Sequence, residues 1–184
     1  MHPAAGTPTM SRALTAGLYN QAIWLVCVLG AARGYPMIAA ALGLVLLASQ
    51  ICVEKRPFVR ELPWIIACVL LGGGIDSVLT VSGHFVFDQP LWPAALAPPW
   101  LLVIWAAFAV AIAEYAPLIR RHTWFSLPLF ALGAPLTYYA GCRLGAVAMP
   151  TPVASLAGMT FIWALLTPAL VWGRLRFERI GVTP

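Results

Sequence analysis

Six apolar runs, each near the length needed to cross a bilayer, occupy most of this chain and leave it few folds to choose from. They cover 13–32, 36–53, 62–82, 99–116, 125–148 and 153–173. A helix needs about 20 mainly apolar residues to cross the hydrocarbon core. In lipid every backbone N–H and C=O must find its partner within the chain, which leaves helices or closed barrels. Barrel strands alternate apolar and polar positions, and these runs are too long and too uniform for that. Charge agrees: 9% of residues are charged, against about a quarter in a soluble domain, too few to cover a surface in water. The sequence therefore predicts an all-α membrane protein, a single domain over 1–184 built as a bundle of six transmembrane helices.

The breaks between runs have chemical causes. Arg33-Gly34-Tyr35-Pro36 reads as a tight turn. Glu54-Lys55-Arg56-Pro57 is charged and ends in proline, which disfavours helix in the residue before it. Pro98-Pro99 opens the fourth run, since proline at a first helical position loses no hydrogen bond. Pro117 and Arg120-Arg121-His122 close it, and Met149-Pro150-Thr151-Pro152 forms the last turn. The one long loop, 83–97, carries Phe85, Phe87, Leu91 and Trp92 and is expected to lie in the outer interface. The first run has a weak resemblance to a cleaved signal, but Asn20 and Gln21 interrupt its apolar centre, so it is expected to be retained.

Orientation follows from the basic residues. Arg12, Lys55, Arg56, Arg60, Arg120, Arg121, Arg174, Arg176 and Arg179 fall on one side, whereas the opposite loops hold only Arg33. Positive residues stay cytoplasmic, which places both termini in the cytoplasm and the protein in a bacterial inner membrane. The net charge of +5 thus meets anionic lipid headgroups rather than nucleic acid. Trp64, Trp124 and Trp172 fall at cytoplasmic run ends and Trp92 and Trp100 at outer ones, as interfacial belts require. Trp105 and Trp163 lie deeper and need another reason.

Charged groups inside a span are costly and point to function or to pairing. Asp76, Glu114 and Arg143 qualify. Asp76 and Arg143 fall at similar depth, so an ion pair between them is expected, as a register-fixing contact or as part of a polar site with Tyr139, one turn before Arg143, and Asn20. Glu114 is expected to pair with Arg120-Arg121, or to serve as a desolvated acid. Gly133, Thr137, Gly141 and Gly145 recur every four residues, a small-residue stripe that permits close helix approach. With that stripe opposed to the polar face, the fifth helix is expected at the centre of the bundle. Gly72-Gly73-Gly74, just before Asp76, reads as a place where the third helix loosens. Cys27, Cys52, Cys68 and Cys142 stand alone, and His2, His84 and His122 are scattered, so neither a metal site nor a cofactor is expected.

Several segments together resemble a known family: Gly74-Ile75-Asp76-Ser77, the stretch 100–108, Gly133-Ala134-Pro135-Leu136-Thr137-Tyr138 and Gly141-Cys142-Arg143-Leu144-Gly145-Ala146, with Asn20 and Trp24 near the amino end. They resemble domain of unknown function 2878, a group of uncharacterised bacterial inner-membrane proteins, over nearly the whole chain. The resemblance implies a multi-span membrane protein without an established activity, from genes that often lie near lipid-modifying enzymes such as relatives of cyclopropane fatty acid synthase. The family tends toward an Asn-His pair late in the fourth span, where this chain has Ala113-Glu114.

Three functions fit these features. The first is a lipid-linked protein, an accessory subunit or an enzyme acting on acyl or isoprenoid chains, with Asp76, Arg143, Tyr139 and Asn20 around its site. The second is a small proton-coupled transporter using Asp76 and Glu114. The third is a non-catalytic structural subunit of a membrane complex. Its partners are then membrane lipids and, for a subunit, other membrane proteins.

Overall fold

The structure, a computed structural model, describes residues 10–88 and 91–180 apart from the side chains of Met10, Phe125 and Ile180. His2 lies outside them. Six helices follow in order: α1 (Met10–Ala32), α2 (Pro36–Val53), α3 (Phe58–Val81), α4 (Pro99–Arg121), α5 (Thr123–Leu144) and α6 (Pro152–Ile180). All but α5 are long and apolar enough to cross a membrane. The apolar run of α5 is broken by Thr137, Tyr138, Tyr139 and Arg143. α4 does not stop at Pro117 but continues to Arg121.

α4, not α5, is the central helix. It packs against α1, α2, α3 and α6, whereas α5 leans mainly on α6. The reason is side-chain size. α4 presents Ala106, Ala107, Ala109, Ala111, Ala113 and Ala116, all buried, and small residues let helix backbones approach closely where no apolar driving force separates lipid from protein.

One end of the bundle holds the charges. On the turn between α2 and α3, Lys55 adopts a positive φ of 50°. Next to it, the Arg56 guanidinium donates to Glu114 Oε1 at 2.6 Å and to Glu54 Oε2. Arg174 on α6 grips Glu61 on α3 through two bonds of 2.6 and 3.0 Å and donates to Glu178 at 2.9 Å. Gln50 donates to Glu54 at 2.9 Å. Glu114 is therefore held by Arg56, and the expected pair with Arg120-Arg121 does not form, both arginines being exposed. A helical-face count considers one helix at a time and misses a partner supplied by another element.

At the other end, the first residues of the loop after α3 turn inward, whereas Leu91 further along it is exposed. Phe85 and Phe87 are buried, and Val86 and Ala148 exchange backbone hydrogen bonds of 2.9 and 2.8 Å. Phe85 stacks on Tyr138 and Phe87 meets Trp100 edge-on. Two loops and two helix ends are thereby tied over the interior.

Candidate functional site

The site grows from the three consecutive glycines of α3. α3 runs through them without a break, so they do not loosen the helix. The use of Gly72 is spatial. A Cβ on Gly72 would fall inside the Trp105 indole ring, whose flat face lies directly on the α3 backbone. The opposite face of that ring stacks on Trp163, with centroids 5.4 Å apart and planes 7° from parallel. Phe108 meets both indoles edge-on. The deep tryptophans that no interfacial belt explains thus form one aromatic stack.

Held in this way, Trp105 donates its indole N–H to Asp76 Oδ2 at 2.7 Å. The Tyr138 hydroxyl lies across both carboxyl oxygens, 2.8 Å from Oδ1 and 3.0 Å from Oδ2. Tyr138 is fixed in turn by Phe85, stacked at 5.2 Å. One residue on, Ser77 donates to Gly73 O at 2.6 Å and accepts the Ala97 N–H at 2.9 Å, which ties the start of α4 to α3. Asp76 is fully buried. Among the described residues no cation lies within ion-pair distance of it; its partners are two neutral donors.

This replaces the expected ion pair. Arg143 is exposed, one residue from the end of α5, and among the described residues forms no ion pair with Asp76. Tyr139 is 41% exposed and faces away from Asp76. Neighbouring residues on a helix point about 100° apart, so the face that turns Tyr138 inward turns Tyr139 and Arg143 outward. Matching depths alone could not choose between the two tyrosines.

In front of Trp105 and Tyr138 lies a groove of about 720 Å³ between α1, α4 and α5. Its walls are mostly apolar, with Trp24 from α1, Trp105 and Phe108 from α4, and Trp163 from α6. It runs from Ala13 to Val28 along α1, a length of about 22 Å at 1.5 Å per residue. Volume and lining fall within the usual range of ligand sites, roughly 300–1,000 Å³ and apolar with few polar points. Asp76 is not on its surface. The carboxyl sits behind the wall and is reached from the groove through the Tyr138 hydroxyl or the Trp105 N–H.

The small-residue stripe of α5 also has a different use from the expected one. Gly133, Thr137 and Gly141 line the groove. A Cβ on Gly133 would meet nothing within 4 Å, and one on Gly141 only Val147 at 3.8 Å. No helix is packed close against these positions; their lack of bulk leaves the groove open. Gly145 belongs to a separate device, the left-handed cap that ends α5, with φ 90°. The glycines in close helix contact are elsewhere: Gly30 against Ala39, Gly43 against Cys27 and Val103, and Gly72 against Trp105.

Asn20 does reach the groove. Its Oδ1 is buried and has no hydrogen-bond partner among the described residues. Of the five residues singled out for a polar site, the structure brings Asn20 to the groove and Asp76 to its rear wall, sets Glu114 in the charged end, and leaves Tyr139 and Arg143 outside. The donors that sequence reasoning missed are Trp105 and Tyr138. One signal for Trp105 was present, its unexplained depth combined with glycines that could seat a large ring.

A family model described as a protein of unknown function (DUF2878) matches residues 13–169. No curated protein and no solved structure matches. The matched segment contains Asp76, Trp105, Tyr138 and the whole length of the groove along α1, and the chain belongs to this family of unknown function, DUF2878.

Proposed function

We propose that this is a lipid-linked protein of a bacterial inner membrane, with six spans and both termini in the cytoplasm, which takes a lipid hydrocarbon chain into the groove between α1, α4 and α5. It acts on that chain as an enzyme or presents it as an accessory subunit. The observation that carries the reading is the groove itself: an apolar trough about 22 Å long, with a buried carboxyl one hydrogen bond behind its wall. A buried carboxyl that only fixed helix packing would need no reachable face. Here Tyr138 and Trp105 each have one side toward the groove and a donor on Asp76. Nine basic residues on the charged side of the bundle support the orientation, and α5, sheltered by α6, supports a sixth span despite its lower apolarity.

The transporter reading has less support. Trp105, which holds Asp76, and Glu114 lie nine residues apart on α4, about 14 Å at 1.5 Å per residue. The stretch of α4 between them, Ala106-Ala107-Phe108-Ala109-Val110-Ala111-Ile112-Ala113, carries no polar side chain of its own. The test is a comparison of membrane lipids from a parent strain, a deletion strain and a strain carrying Gly133→Phe, which fills the groove. An altered acyl or isoprenoid profile, shared by the deletion and the filled groove, is expected. Unchanged profiles in both would overturn the proposal.

A further inference from the structure

Gln21 is an exposed amide at the midpoint of α1, eleven residues from Met10 and eleven from Ala32, about 16 Å from either end at 1.5 Å per residue. The hydrocarbon core is about 30 Å thick, so the side chain sits near its centre, out of reach of the headgroups. Among the described residues it makes no hydrogen bond. An amide left unpaired in an apolar medium is unfavourable, and in membranes such groups bond across to a neighbouring helix. Three leucines mark where that helix lies. Leu14, Leu18 and Leu25 are 63%, 65% and 46% exposed on the same stripe as Gln21. The four positions are spaced four, three and four residues apart, the spacing of a seam along which two helices cross as in a coiled coil. One polar residue in such a seam fixes register and partner number. No helix of this chain fills it: α2 and α4 pack on other faces of α1, and α5 stands across the groove. Exposed leucines alone would fit lipid, as they do on α2; Gln21 is the group that lipid tails leave unpaired.

We infer that α1 pairs with α1 of a second copy of this chain along Leu14, Leu18, Gln21 and Leu25, with the two Gln21 amides hydrogen-bonded to each other at the membrane centre. A bilayer fixes the depth of every span, so copies inserted the same way run their α1 helices parallel and bring the two amides to one depth. An amide carries both donors and an acceptor, and two of them satisfy each other across a twofold axis, the commonest symmetry of protein pairs. A foreign helix would have to offer a polar group at that depth independently. Leu14, Leu18 and Gln21 also border the groove, so the second helix lies along its rim and the pair sets two grooves side by side. The pairing does not depend on what the groove holds.

The test is energy transfer between copies of the full chain carrying a donor or an acceptor dye at the carboxyl end, in phosphatidylcholine vesicles at falling protein-to-lipid ratio. The unaltered protein is expected to follow a monomer–dimer curve. Gln21→Leu keeps the apolar seam and removes the amides, and it should weaken the dimer about tenfold, the factor that an interhelical hydrogen bond in a membrane supplies. Val45→Phe, at an exposed position on α2, should leave the curve unchanged. An unaltered protein that stays monomeric at every ratio overturns the inference, and that result needs no variant to fold. So does a Gln21→Leu dimer as tight as the parent, which would place the contact elsewhere. A different membrane protein that co-purifies with the unaltered chain as a one-to-one complex and is lost from Gln21→Leu would give the seam to a foreign helix and overturn it as well. None of these outcomes bears on the lipid-chain reading, which the filled-groove strain tests separately.

Discussion

Replacing Gly72, Gly73 and Gly74 one at a time with alanine should give three different results, although the residues are consecutive on one helix. At Gly72 the added methyl enters the Trp105 ring. The ring cannot retreat, because Trp163 is stacked on its other face at 5.4 Å. Overpacking of this kind costs about 1–3 kcal/mol. Moving the indole also loses its bond to Asp76, a hydrogen bond to a buried acid worth about 1.5–3 kcal/mol, so the total for Gly72→Ala is about 2.5–6 kcal/mol. At Gly73 the nearest atom is Leu102 Cδ2, 2.6 Å from the built position. That is the far end of a flexible side chain, which can rotate away, so the cost should stay under about 1 kcal/mol. At Gly74 nothing lies within 4 Å, and the change should be neutral or stabilise by roughly 0.5–1 kcal/mol through lower backbone entropy. The assay is equilibrium unfolding in mixed micelles, followed by near-ultraviolet circular dichroism of the tryptophan stack. Equal effects at all three positions, or a Gly72→Ala protein as stable as the parent, would refute the claim that Gly72 seats Trp105.

Arg56→Met leaves Glu54 and Glu114 without their shared cation and should destabilise by about 3–5 kcal/mol in the same unfolding assay; Arg121→Ala, at an exposed position outside that network, should stay within about 0.5 kcal/mol. Tyr138→Phe keeps the stack on Phe85 but removes the donor lying across Asp76, and it should cost about 1.5–3 kcal/mol, whereas Tyr139→Phe on the exposed face should cost almost nothing. Reporter fusions after Lys55 and after Arg121 should report the cytoplasm, and fusions near Asp88 and Pro150 the opposite side; a cytoplasmic signal at Asp88 would reverse the orientation.

The helices were readable because lipid permits so few backbone solutions. Run length and the Pro, Gly and Arg breaks locate every element within a few residues, apart from the extensions of α4 through Pro117 and of α6 from 173 to Ile180. Proline in a membrane helix need not end it when neighbouring groups take up the freed carbonyl. The importance of Asp76 was also readable, since an acid inside a span needs a reason. Its partners were not. Charge suggested Arg143, but the geometry supplied two neutral donors on different helices, and which face of α5 turns inward depends on packing against α6. The same limit applies to Glu114, whose cation comes from the α2–α3 turn.

The small-residue stripe of α5 carries the wider argument. A Gly-x-x-x-Thr-x-x-x-Gly pattern says that one face of a helix lacks bulk; it does not say what occupies the space gained. Close packing requires a second helix with a matching face. α1 presents Asn20, Gln21 and Trp24 to this side of the bundle, and such side chains are too large to nest against a bare backbone. The two faces therefore stand apart, and the volume that a helix pair would have closed stays open. Buried small residues on α4 draw four helices together, while similar residues on α5 keep one side of the bundle hollow. Filling that hollow from within should leave the fold nearly intact: Gly133→Phe meets no atom within 4 Å of its Cβ and gains contact with apolar walls. Its effect should fall on chain binding rather than on stability. A Gly133→Phe protein that unfolds, or that binds oleate as the parent does, would mean that the stripe is a packing surface after all.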